Sequence, residues 1–261
     1  MPLSGNLYYS LHCEHGTENP PLILIHGAGG THLYWPPEIR RLPGYCVHAP
    51  DLPGHGRSSV LDGQQTIEDY VSYLVQWLES IQARRAVFIG HSMGGAIALS
   101  LAINHPEYVV GLGLISSGAR LRVSPDILKF SADNTTYLKA LDLMVSCSFS
   151  NSASPRLVEL ASNRLAETRH SVFSGDLLAC DRFDVMDQLG SIQQPTLVVC
   201  GEEDQMTPLR YAQYLSNSIP KAKLISIPNA GHMVMLEQPA RVAEGIMAFL
   251  SDISFHPGEG F

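Results

Sequence analysis

The 261-residue chain lacks several features that whole functional classes require. It has no basic surplus: 17 Lys and Arg stand against 25 Asp and Glu, a formal net charge of −8. Nucleic acid and anionic membranes both need a cationic face, so neither is expected as a partner. No apolar run approaches the roughly 20 residues of a transmembrane helix, so no membrane span is expected. Met1 to Asn6 carries neither the basic nor the apolar region of a secretory signal. The five cysteines (13, 46, 147, 180, 200) include no Cys-x-x-Cys, which predicts reduced thiols in a cytoplasmic protein. His12-Cys13-Glu14-His15 concentrates metal donors, but alternate strand residues face opposite sides and cannot converge on one ion. No metal and no other cofactor is expected.

What is present is an α/β alternation. Hydrophobic residues make up 45% of the chain, enough for one large core. Leu7–His12 reads as an early strand. Pro21–Ile25, Tyr45–Asp51, Ala86–Ile89, Val109–Ile115, Pro195–Cys200 and Ala222–Ile227 follow, most of them continuous apolar runs typical of strands buried on both faces. Thr66 opens a helix with Asp69 as its capping partner, and the stripe Ile67, Tyr70, Val71, Leu74, Leu78, Ile81 lays it on the sheet. From 118 to 194 the alternation stops. Ser124-Pro125 and Ser154-Pro155 mark helix starts, and Leu138, Leu141, Met144, Val145 and Leu157, Leu160, Ala161, Leu165 form helical stripes. Residues 1–117 and 195–253 therefore read as one discontinuous core domain. Residues 118–194 read as a helical cap over the strand ends, and 254–261 as a disordered tail.

Between a buried strand and a buried helix lies Gly90-His91-Ser92-Met93-Gly94-Gly95. A serine in so tight a turn has its hydroxyl exposed at the strand end, and the helix N–H groups behind it suit a developing anion. Such a serine needs a base, and the base needs an orienting acid. Of eleven histidines only His232 and His256 follow the last strands, and His232 sits directly after one. Glu202, Glu203 and Asp204 are the acids at a strand end; Asp204 is preferred, with Glu203 the alternative. His26-Gly27-Ala28-Gly29 is a flexible loop whose N–H groups can face a site. It is not a dinucleotide turn, since His32 stands where the third glycine would be. Asp51, His55 and Arg57 are assigned to ordering the turn Leu52–Ser58.

These segments, with Gly201-Glu202-Glu203-Asp204 and Gly231-His232, make the chain resemble the α/β-hydrolase superfamily from about Leu7 to Leu250. The resemblance implies a mostly parallel sheet of seven or eight strands flanked by helices, with a helical cap. It implies Ser92 as nucleophile, His232 as base and then acid, and Asp204 as its orienter. It also implies an oxyanion hole from the backbone N–H groups of Ala28 and Met93, and His26 as a brace beneath that loop. Gly27, Gly29, His91, Met206 and Met233 are the expected substrate-lining positions. A serine at 92, where dehalogenases and epoxide hydrolases of this fold carry aspartate, points to acyl transfer from a small, apolar carboxylic ester to water. Lactone, thioester and C–C hydrolysis, cofactor-free perhydrolase or lyase chemistry, and a ligand receptor are the alternatives. Which of Arg120, Arg122, Arg164, Arg169 and Arg182 face the pocket, and whether the chain forms a homodimer, cannot be read from sequence.

Overall fold

The fold is taken from a computed structural model that describes residues 3–14 and 17–253. The expected tail at 254–261, including His256, and His15 of the His-Cys-Glu-His run lie outside the described residues. Strands β1 (Leu3–Ser4), β2 (Leu7–Cys13), β3 (Leu22–Ile25), β4 (Cys46–Pro50), β5 (Ala86–His91), β6 (Val109–Ile115), β7 (Thr196–Gly201) and β8 (Ala222–Ile227) form one sheet. Their order is β1-β2-β4-β3-β5-β6-β7-β8. The pairs β1–β2 and β2–β4 are antiparallel, and every pair from β4 to β8 is parallel. The strand count is therefore eight, the additional strand being the two-residue β1.

Helices α1 (Pro37–Arg40), α2 (Ile67–Ser80), α3 (Met93–Asn104), α4 (Pro125–Ser131), α5 (Tyr137–Ser146), α6 (Pro155–Ala166), α7 (His170–Arg182), α8 (Leu209–Ser218), α9 (Val234–Glu237) and α10 (Pro239–Ser251) complete the chain. Every residue of β3, β5, β6 and β7 is buried, as strands covered on both faces must be. The period-two alternation sorts their side chains onto two faces. Ile23, Ile25, Phe88, Leu112 and Val198 join the core under α2, α3 and α8. Leu22, Leu24, Val87, Ile89 and Val199 join the core under α1 and α10. Thr66 Oγ1 caps α2 by accepting from the Asp69 N–H at 3.2 Å.

Between β6 and β7 stand α4 to α7 and no strand, with Arg120 and Asp184 bridging the two ends of the segment. Ser154 caps α6, whereas Ser124 precedes α4 without a side-chain cap bond. Leu138 (67% exposed) and Leu160 (39% exposed) turn outward, so the predicted stripes are narrower than expected. The segment is tied to loops that leave the sheet. Thr168 Oγ1 donates to the Gly29 carbonyl at 2.8 Å, Arg164 to Leu33 O at 3.2 Å and Arg169 to Leu61 O at 2.7 Å.

One expectation is corrected. Cys13 and Cys46 oppose each other in the antiparallel β2–β4 register and form a disulfide, with a Cα–Cα distance of 4.0 Å. They are 33 residues apart, and spacing alone does not reveal the register that joins them. Cys147, Cys180 and Cys200 are free. Among the described residues no helix is long and apolar enough to cross a membrane.

The junction of β5 and α3 tolerates no side chain at its glycines. A Cβ on Gly90 would collide with the Gly94 carbonyl, and one on Gly94 with the Ile25 carbonyl, all backbone that cannot yield. Gly190, by contrast, has nothing within 4 Å of such a Cβ. Gly90→Ala and Gly94→Ala are each expected to cost at least about 2 kcal/mol in urea unfolding, against at most about 0.5 kcal/mol for Gly190→Ala.

Candidate active site

Ser92 lies between β5 and α3 with φ +53° and ψ −117°, a backbone that side-chain-bearing residues rarely adopt. Four bonds hold it there. Its N–H donates to Ile115 O at 3.0 Å, and its carbonyl accepts from Gly95 N, Ala96 N and Ser117 Oγ. Within residues 86–102 every other residue is buried, and Ser92 alone is partly exposed.

His232 and Asp204 arrive from the ends of β8 and β7. The His232 Nδ1 donates to Asp204 Oδ2 at 3.0 Å. Asp204 also accepts from the N–H groups of Met206 (2.9 Å) and Thr207 (2.8 Å), and from Thr207 Oγ1 at 2.8 Å. Burial alone would raise the Asp204 pKa, but His232 and the Thr207 bonds together hold it below the ordinary carboxylate value. The other ring nitrogen of His232, Nε2, is buried and without a hydrogen-bond partner. Ser92 lines the same two cavities as His232 but does not hydrogen-bond to it in this structure. Glu203, the alternative acid, instead accepts from Asn151 N at 3.0 Å. His91 packs against His232, its Nε2 donating to the His232 carbonyl at 3.0 Å. Burial, and then the neighbouring His232, push the His91 pKa down to about 3, so it is neutral.

The loop after β3 has its peptide groups fixed one by one. The Gly27 carbonyl accepts from Gly30 N at 3.0 Å and from His26 Nδ1 at 2.9 Å. Because the peptide is trans, the Ala28 N–H points the opposite way from that carbonyl. His26 Nε2 accepts from Leu52 N at 3.0 Å, which makes the ring neutral. Burial foremost, then His55, lower its pKa to about 4. Among the described residues neither Ala28 N–H nor Met93 N–H donates to a protein group. Both therefore remain free to meet an anion.

Two cavities meet at Ser92, sharing Ala28, Met144 and His232. The larger, about 430 Å³, is walled by Leu121, Ile127, Leu177, Met206 and Tyr211, and among the described residues the charged side chains lining it are Arg122 and Arg210. The smaller, about 20 Å³, is closed by His91, Phe149, Leu165 and Met233. Of the expected lining residues, His91, Met206 and Met233 are at cavity walls. Gly27 and Gly29 are not. Gly27 packs against His91 and Ser92, and Gly29 lies under Leu165 and Phe173. Of the candidate arginines only Arg122 lines the larger cavity; Arg164 and Arg169 fasten the helical segment instead.

The sequence model of the alpha/beta hydrolase family matches residues 22–245. The chain belongs to that family. It is 29% identical over 260 residues to a putative carbamate hydrolase, RutD, of Pseudomonas syringae pv. syringae, covering 94% of this chain and 99% of that protein. It is also 29% identical to a 2-hydroxymuconate semialdehyde hydrolase of a Pseudomonas species, covering 89% of this chain and 87% of that protein. A solved thermophilic esterase superposes with a TM-score of 0.81 at 32% identity, over 95% of this chain and 99% of the other.

One group in this alpha/beta hydrolase is absent from the sequence reading. Asp176 of α7 is fully buried, and three core elements contact its carboxylate. Gly29 N donates to Oδ2 at 2.8 Å, His55 Nε2 to Oδ2 at 2.8 Å, and Tyr70 OH to Oδ1 at 2.5 Å. The available signal is that Asp176 shares its helical face with Val172, Phe173 and Cys180, all buried. His55 Nδ1 faces the Pro53 carbonyl at 3.0 Å, so both ring nitrogens meet acceptors and the ring is an imidazolium. Burial opposes that charge, but Asp176 outweighs it and the His55 pKa is raised.

The buried histidines set the pH dependence of stability. His26 and His91 titrate at about 4 and about 3 when folded, against 6.5 unfolded, so the unfolded chain takes up protons first as pH falls. Their contribution is complete above 6.5 and is lost on going down through the folded values. His55 has the opposite sign: its contribution is complete below 6.5 and is lost as pH rises through its raised value. The urea midpoint is expected to peak near pH 6.5 and to fall toward pH 4, with a shallower acid limb in His91→Gln. A midpoint constant from pH 7 to 4.5 would contradict these assignments.

Proposed function

We propose that this chain is a serine hydrolase that cleaves a small carboxylic ester through an acyl-enzyme, without a cofactor. The observation that carries the reading is the buried, unpartnered Nε2 of His232, braced by Asp204 and sharing its cavities with the partly exposed Ser92. Ser92 Oγ attacks the ester carbonyl as Nε2 takes its proton. The Asp204 carboxylate holds the ring in the tautomer that leaves Nε2 bare and stabilises the imidazolium that forms. The N–H groups of Ala28 and Met93 receive the charge on the carbonyl oxygen, a term worth about 10²–10³ in rate per donor. His232 then protonates the departing alcohol, and water repeats the sequence to free the acid. Residues 118–194 act as the cap, since Leu121, Ile127, Met144 and Leu177 supply much of the apolar wall.

The unequal cavities suit a small ester with one very small substituent on the carbonyl and a larger, apolar one on the other side. Hydrolysis of a carbamate or of a 2-hydroxymuconate semialdehyde, the activities in the names of the two Pseudomonas relatives, would use the same serine and base and is the second reading, with C–C hydrolysis among the alternatives. Lactone, thioester, perhydrolase and lyase assays on the same preparation separate the remaining alternatives.

In a p-nitrophenyl and alkyl ester series, Ser92→Ala is expected to lower kcat by at least about 10⁴-fold, and fluorophosphonate is expected to label the wild type at Ser92 only. Esters bulky on both sides of the carbonyl are expected to react at least about 10-fold more slowly than those bulky on one side. Undiminished turnover in Ser92→Ala would refute the mechanism, and labelling absent from the wild type would favour a receptor.

A further inference from the structure

The loop that carries Ala28 is held by the helical segment, not only by the core beneath it. Asp176 Oδ2 takes the N–H of Gly29 at 2.8 Å, and Thr168 Oγ1 donates to the carbonyl of the same residue at 2.8 Å. Both backbone polar groups of Gly29 are thus committed to residues 168 and 176, while the Gly27 carbonyl is committed to His26 and Gly30. Gly29 has φ +64°, and Leu165 and Phe173 of the same segment cover it, so its conformation leaves no room for a side chain. The Ala28 N–H donates to no protein group among the described residues, and Ala28 lines both cavities that Ser92 lines.

We propose that Asp176 is a positioning residue: its buried ion pair with His55 fixes a carboxylate oxygen against the Gly29 N–H, and so sets the direction of the Ala28 N–H toward Ser92. A carboxylate enclosed in the fold must have its lone pairs met, and Gly29, His55 and Tyr70 meet them from three separate pieces of the core. The same oxygen serves His55 and Gly29, so His55 holds it at a fixed point between turn and loop. His55 is itself anchored by the Pro53 carbonyl and packs against His26, 4.8 Å away between ring centroids. The segment has other fastenings, Arg164 to Leu33 and Arg169 to Leu61, so Asp176 is not needed merely to keep it attached. Its distinct contribution is to the loop. The inference rests on the reading that the Ala28 N–H stabilises an oxyanion.

The test compares Asp176→Asn and Thr168→Val with wild type on p-nitrophenyl butyrate, each rate normalised to the sites titrated by fluorophosphonate. Hydrogen exchange of the peptide spanning residues 27–30 is measured in parallel. Asp176→Asn is expected to lower kcat and kcat/KM together by about 10–100-fold with KM nearly unchanged. Exchange in 27–30 should speed up while β5 stays protected. Thr168→Val, which removes the tie on the other side of Gly29, is expected to give the same pattern at a few-fold. A purely structural role would lower Tm and the number of titratable sites but not kcat per site. If Asp176→Asn does not fold, Thr168→Val decides alone. Unchanged kcat per site and unchanged loop exchange in the folded variants overturn the proposal. If the wild type turns over no ester, the hydrolase reading fails, and loop exchange judges the positioning role separately.

Discussion

Strand β5 and helix α3 meet without a connecting loop, and the site depends on that contact. With Gly90 and Gly94 each against backbone, the chain reverses at a single residue, and Ser92 is forced to positive φ. The strain is held by hydrogen bonds from β6, from Ser117 and from the first turn of α3. The same geometry brings the Met93 N–H to the serine and lets β3 end close by, so that the loop carrying Ala28 faces it. A side chain at either glycine would separate these groups rather than merely loosen a core.

Much of this was legible in the sequence because each signal was local. Continuous apolar runs marked the buried parallel strands, and small residues between Ile89 and Ala96 marked the close turn. His232 and Asp204 stood out because each follows such a run directly. The choice between Asp204 and Glu203 is supported by geometry: one carboxylate meets His232 Nδ1, and the other caps an N–H at Asn151. What stayed hidden depends on pairing over long separations. The Cys13–Cys46 disulfide follows from the β2–β4 register. Gly27 and Gly29 were plausible wall residues from sequence, yet the helical segment covers Gly29 and His91 fills the space beside Gly27.

Asp176 illustrates the same limit in its strongest form. Its partners lie 147, 121 and 106 residues away, on a loop, a turn and a helix. Nothing in a local window distinguishes it from an acid on a solvated helix face, except that its neighbours on that face are apolar. The assignment of His55 to ordering its own turn was incomplete for the same reason, because its Nε2 partner comes from a different part of the chain.

Four buried histidines pack in two pairs, His26 with His55 and His91 with His232, and their hydrogen-bond partners distinguish them. His26 meets one acceptor and one donor, and its pKa is low; His91 meets one acceptor and no donor, and its pKa is also low. His55 meets two acceptors, one of them a carboxylate, and is charged. His232 has a carboxylate on Nδ1 and nothing on Nε2, the arrangement on which the proposed base role rests. A second charged ring beside it would oppose the proposed proton transfer. Burial keeps His91, at 4.9 Å between centroids, neutral, and the imidazolium of His55 is neutralised by Asp176. The buried carboxylate therefore meets two demands at once, accepting from the Gly29 N–H and pairing with the charged His55 ring.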